Sequence, residues 1–168
     1  SVKQERKLLL LSELLKNLDT DNIVNYEDIG RALLTDVDAD VRAAAIGLLA
    51  ESNDPRLAST LTSILLTDEV LAPRMEAALL LGEFVLLAEL DELDTDLKNK
   101  IEDALITVIR SEDNPALRKR ALESLGYSSR DEMVNIIETA FQRADPGWIA
   151  SALRAMGRSH DSRWNNDV

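Results

Sequence analysis

One helix opening recurs along this chain, as Asp36-x5-Arg42-x2-Ala45, Asp68-x5-Arg74-x2-Ala77 and Glu112-x5-Arg118-x2-Ala121, and a reduced copy, Ala152-Leu153-x2-Met156-Gly157, follows. Ala45, Ala77, Ala121 and Ala152 are separated by 32, 44 and 31 residues, so the unit is 31 or 32 residues long and the second copy carries an insertion. Such a period marks a repeat array, in which no unit can bury its apolar face alone and neighbours must stack.

Within each unit the apolar residues fall at helical spacing. Val41, Ala45, Ile46, Leu48 and Leu49 precede Leu57, Leu61, Ile64 and Leu65; Ala77, Ala78, Leu80 and Leu81 precede Leu97, Ile101, Ala104, Leu105, Val108 and Ile109; Leu117, Ala121, Leu122 and Leu125 precede Val134, Ile137, Ala140 and Phe141. Two amphipathic helices per unit are expected. Aromatic residues make up only 4% of the 168 residues while 45% are hydrophobic, which suits helix-on-helix packing in one all-α domain.

The expected organisation is a helix pair capping the N-terminus over residues 1–35, then repeats at 36–67, 68–111 with an insertion near 83–95, and 112–143, with an incomplete repeat at 144–168. In the capping pair, Leu8, Leu9, Leu10, Leu11, Leu14, Leu15 and Leu18 form one apolar face and Tyr26, Ile29, Leu33 and Leu34 another. Neither helix carries the Arg-x2-Ala signature, as expected of a terminal unit that buries only one side.

Local chemistry marks the boundaries. Asp54-Pro55, Asn114-Pro115 and Asp145-Pro146 each place a capping side chain before a proline at the first helical position. Gly126 and Gly157 fall where the first helix of a unit should end, a place where glycine accepts the left-handed conformation. Gly82 shares their register, but the apolar run that follows it predicts a lengthened helix before an acidic loop. Pro73 either opens a helix or kinks one begun near Glu69.

The acid–Arg–Ala opening, the small residues one turn on and the closing Leu-Gly resemble HEAT repeats, and the short unit is similar to the HEAT-like repeats of phycobilisome bilin lyases. The resemblance covers about residues 36 to 158. It implies a right-handed α-solenoid of antiparallel helix pairs, HEAT/armadillo-like, of about five units with the last one truncated. It also implies a structural ladder of Asp36, Arg42, Asp68, Arg74, Glu112 and Arg118 between adjacent units; the competing reading makes an anion site of Arg42 and Arg74. In the fourth unit the paired positions hold Arg143 and Ile149, so the pair is lost there.

The expected function is that of a non-enzymatic interaction scaffold that binds a protein partner on the concave face of its second helices. Arg56, Ser59, Ser63, Lys98, Glu102, Asn135, Glu138 and Gln142 are the candidates for that face, because they avoid the apolar stripes. The lyase resemblance offers an alternative, a subunit acting on a protein-bound tetrapyrrole cradled by an aromatic groove at Trp148 and Trp164; the simpler expectation is that Trp148 fills the core or an interface and that Trp164 is exposed because its repeat is cut short. A HEAT-like DNA glycosylase is a second alternative, disfavoured by charge. Residues 1–112 hold 11 basic and 23 acidic side chains, whereas residues 113–168 hold 8 of each, so the whole net charge of −12 resides in the first part. A field of that sign repels phosphate backbones and suits a partner with a basic surface.

No catalytic residues and no cofactor are expected. The chain has no cysteine and one histidine, His160, too few for a thiolate or imidazole metal site. His160-Asp161-Ser162 has the letters of a hydrolytic triad, but adjacent residues do not align nucleophile, base and carboxylate, and a loop is expected. The run Glu89, Asp91, Glu92, Asp94 and Asp96 lacks the ligand order of a calcium loop and reads as a solvated acidic insertion, a possible docking element. No apolar stretch approaches the roughly 20 residues that span a bilayer and the start lacks a signal segment, so a cytoplasmic location is expected.

Overall fold

A computed structural model of the chain describes residues 2–18, 26–159 and 161–164. Among these residues the regular structure is helical throughout: α1 (Val2–Leu18), α2 (Glu27–Leu33), α3 (Ala39–Gly47), α4 (Pro55–Thr67), α5 (Leu71–Glu89), α6 (Thr95–Arg110), α7 (Pro115–Ser124), α8 (Glu132–Phe141) and α9 (Pro146–Arg158). Short 3-10 turns follow at Leu125–Tyr127 and Ser162–Trp164. The protein is all-α, and no helix among the described residues is long and apolar enough to cross a membrane.

The starts follow from capping. Asp54, Asn114 and Asp145 each accept a hydrogen bond from a backbone N–H two or three residues on, and Pro55, Pro115 and Pro146 stand at the first helical turn. Asp38 and Asp94 cap α3 and α6 in the same way. α5 begins at Leu71 with no side-chain cap, so Pro73 sits in the first turn, where an N–H has no helical acceptor to lose. It stands in the opening turn of a helix that runs on to Glu89. The insertion lengthens α5 to 19 residues, against 9 in α3 and 10 in α7.

The odd-numbered helices pack on one another in succession, α1 on α3, α3 on α5, α5 on α7 and α7 on α9. Each even helix lies against the odd helix that follows it, and α4 also packs on α6. One apolar cluster runs from Leu34 to Trp164 through Leu61, Phe84, Leu105 and Leu122, and a smaller one joins Leu11, Val41 and Leu48. Leu8, Leu14 and Leu15 support the smaller cluster, while Leu9 and Leu10 are exposed; the side chain of Leu18 lies outside the described ones. Ile29 is also exposed, because the buried stripe of this short helix runs through Tyr26, Gly30, Leu33 and Leu34 instead.

The glycines have a different purpose from the expected one. No described glycine has a positive φ, so none forms a left-handed cap. Gly82 lies inside α5, where an added Cβ would stand 3.1 Å from the Cα of Ser124, and a Cβ on Gly126 would stand 2.9 Å from the Cα of Ala155. Gly82 and Gly126 are each five residues after their repeat alanine, and Ser124 and Ala155 are three after theirs. At these two joints, α5 on α7 and the 3-10 turn after α7 on α9, the register is a close approach that a glycine facing a small residue permits. A Cβ at Gly157 would meet nothing within 4 Å.

Candidate functional site

The repeat arginines reach across units. Arg42 donates from Nε and Nη2 to the two carboxylate oxygens of Asp68, at 2.8 Å each, and from Nη1 to the backbone oxygen of its own Asp36. Arg74 donates from Nη2 to Asp113 at 2.5 Å and from Nε to the Leu65 carbonyl in the last turn of α4. Lys7 of α1 supplies the equivalent contact to Asp36. The acid opposite Arg74 is Asp113, not the Glu112 that the six-residue spacing singles out. Glu112 is exposed, because the turn before α7 sets the register one residue later than the turns before α3 and α5.

Each acid also holds its own turn. Asp36, Asp68 and Asp113 accept the backbone N–H of Asp38, Val70 and Asn114, respectively. The side-chain bonds from Lys7, Arg42 and Arg74 hold the three carboxyls below the ordinary aspartate range, with those backbone bonds adding to the effect. Arg42 and Arg74 are therefore already neutralised by carboxylates.

The next rung differs. Arg118 donates from Nε to the Ile109 carbonyl at 2.9 Å, as Arg74 does to Leu65, but no carboxylate among the described residues pairs with it. Its guanidinium lies 5.3 Å from the ring centre of Trp148, and Arg143 lies 4.2 Å from the same ring. Trp148 is buried, and both cations lie within cation–π distance of its ring. Trp164 is buried too, not exposed as expected, since the 3-10 turn carrying it folds back beside Met133 and Ile137 of α8.

The candidate residues of the second helices separate into several environments. Ser59 lines an open groove of about 400 Å³ between α4 and α6, with Thr62, Leu66, Leu97, Lys100, Asp103, Ala104 and Thr107. Asn135 lines a second groove, about 290 Å³, between α6 and α8, with Arg110, Ile136, Thr139 and the Arg118–Trp148–Arg143 group. Ser63, Glu138 and Gln142 are exposed outside both linings, and Arg56 is exposed and folded onto Asp54 in its own helix turn.

Lys98 and Glu102 face elsewhere. Lys98 pairs with Glu89 at 2.8 Å; burial works against the Glu89 charge, but the Lys98 ammonium and the Ser129 N–H and hydroxyl outweigh it and hold that carboxyl below its usual range. Glu102 is fully buried, so it belongs to no surface: it accepts from Ser128 Oγ at 2.5 Å and from Arg130 Nε at 2.6 Å. Burial opposes the charge of Arg130, and its bond to Asp103 with the field of Glu102 more than offsets that, raising its pKa. A polar letter at an interior position reads as surface until its partner is found. The missed groove residues were legible, because Leu97, Lys100, Ala104 and Thr107 follow one another at three and four residues, as one face of α6 must.

In the acidic insertion, Asp94 caps α6 and Glu89 binds Lys98, while Asp91, Glu92 and Asp96 are exposed. No group of three metal-ligating side chains converges among the described residues. Asp161 and Ser162 belong to the turn before Trp164, with Asp161 paired to Arg163; His160 lies outside the described residues. Compared with protein-family models the chain gives no match, and compared with curated proteins it gives none.

Proposed function

We propose that the protein is a non-enzymatic scaffold of the HEAT-like α-solenoid type, a right-handed stack of helix pairs that binds a protein partner along its even-numbered helices. What supports the reading is the recurrence of one interhelical joint, in which a cation of one unit holds the turn acid of the next, as at Lys7–Asp36, Arg42–Asp68 and Arg74–Asp113. Such a joint sets how one unit sits on its neighbour and performs no chemistry. The even helices then present polar and small side chains beside open grooves, the surface that a stacked array offers to a polypeptide.

The acidic excess of residues 1–112 favours a partner with a basic surface over the α4–α6 groove. Photo-crosslinking side chains placed at Ser59 and Thr107 test this. The expected result is a discrete protein adduct at both positions that weakens as salt rises, with none at Glu83, which is exposed on α5. Equal labelling at all three positions, or no salt-sensitive adduct in the groove, overturns the reading.

A further inference from the structure

In the units where the repeat arginine meets a carboxylate, the acid comes from the turn before the next odd helix. Counted from the helix cap, Asp113 is one residue before Asn114 at α7, and the same place at α9, one residue before Asp145, is Ala144. The acid is replaced by a methyl group, and Arg143 stands beside it. Arg118 thus keeps the carbonyl contact of Arg74 but meets no carboxylate among the described residues, and a second guanidinium, that of Arg143, lies against the same Trp148 ring.

Neither cation meets a carboxylate among the described residues. The side chain of Arg143 makes no ion pair or hydrogen bond among the described residues, and the Nη groups of Arg118 make none. Asp113 is close enough to feel the field of Arg118, but its carboxylate is held by Arg74. Arg110, also on the groove, is balanced by Glu132 at 2.5 Å. Two uncompensated guanidiniums therefore line an open groove of about 290 Å³ whose remaining wall includes Ile109, Ile136 and Thr139.

We infer that this groove binds an acidic side chain of a partner polypeptide, with an aspartate or glutamate carboxylate accepting from Arg118 and Arg143 in the place where a turn acid stands in the earlier joints. Carboxylate is the anion that the equivalent arginines hold in this same fold, and Arg74, whose Nε is likewise given to a carbonyl, holds Asp113 through Nη2. The apolar wall suits a residue flanking that acid, which a free inorganic anion would leave uncovered. The inference deepens the scaffold reading by naming one contact of the partner, and rests on that reading for the ligand being a polypeptide.

The test uses the full chain and the blocked tripeptide leucyl-aspartyl-leucine amide, its asparaginyl counterpart and inorganic phosphate as probes. The readouts are the NMR signals of the Trp148 indole N–H and of the Arg118 Nε–H. The expected result is saturable shifts with the aspartyl peptide, at least about fivefold weaker with the asparaginyl peptide and with Arg143→Gln. Ala144→Asp should restore an internal carboxylate, weaken peptide binding by a similar factor and raise the melting temperature, which separates site occlusion from unfolding. Absence of shifts, indifference to Arg143→Gln, or phosphate binding as tightly as the aspartyl peptide overturns the inference. If the peptide fails while salt-sensitive adducts form at Ser59 and Thr107, this site alone is wrong; if the peptide binds and no adduct forms, the scaffold reading is wrong.

Discussion

Arg42 and Asp68 lie 26 residues apart in the chain and meet through two parallel hydrogen bonds of 2.8 Å, with both side chains largely shielded from solvent. Replacing either partner strands a shielded charge. Arg42→Gln or Asp68→Asn should cost about 1–3 kcal/mol, and at this chain length each kcal/mol lowers the melting temperature by about 2–4 °C. The double variant should cost less than the sum of the two singles, as measured by denaturant unfolding. Asp113→Asn should be destabilising in the same manner, whereas Glu112→Gln should change stability by no more than about 0.5 kcal/mol.

Acid should weaken these joints first. The carboxyls of Asp36, Asp68 and Asp113 are held below their ordinary range by Lys7, Arg42 and Arg74, so the unfolded chain takes up protons at higher pH than the folded one. Their contribution is therefore complete above the unfolded aspartate pKa of about 3.9 and is lost as pH falls through the depressed folded values. Unfolding midpoints measured from neutral pH downward should fall in that acid range, and the fall should be shallower in Asp68→Asn. An identical slope in the variant would show that the pair does not carry the effect.

Glycines at one register position should respond differently to alanine. At Gly126 the new Cβ would meet the backbone of Ala155 at 2.9 Å, and the variant should lose about 1–3 kcal/mol from overpacking. Gly157 meets nothing, so Gly157→Ala should hold or raise the melting temperature through helix propensity, worth up to about 1 kcal/mol. Gly82→Ala should fall between them, since the same propensity gain is set against the Ser124 Cα at 3.1 Å.

Ser124, on the other side of that close approach, is fully buried and its hydroxyl finds no hydrogen-bond partner among the described residues. Ser124→Ala removes the stranded hydroxyl and keeps the small volume that Gly82 requires. It should stabilise the protein by about 1 kcal/mol, read from thermal unfolding, and a destabilised variant would mean that the hydroxyl is satisfied in solution.

The Glu102–Arg130 pair ties α6 to the turn before α8. Arg130→Met leaves the Glu102 carboxylate buried with Ser128 as its one remaining donor among the described residues, and should cost about 3–5 kcal/mol. Adding Glu102→Gln to that variant should recover part of the loss, because the charge that needed a partner is gone.

The sequence by itself determined the helices and the period of the packing. Aspartate or asparagine before proline placed α4, α7 and α9, since a cap and a fixed φ act within one turn of chain. Apolar spacing marked most of the buried faces, and the recurrent arginine marked the joints between units. Which acid closes a joint, which glycine spaces two helices, and whether a polar residue lies inside or outside were decided only by the tertiary structure. Asp113 takes the place expected of Glu112, Gly82 and Gly126 serve close approach without turning the chain, and Glu102 lies in the interior against Arg130. Each of these depends on an atom supplied by another segment, 28 or more residues away, whose direction no local pattern contains. Arg118, which meets no carboxylate among the described residues, shows both halves: its register is written in the repeat, and the missing acid becomes visible only when Arg143 and Trp148 are seen beside it.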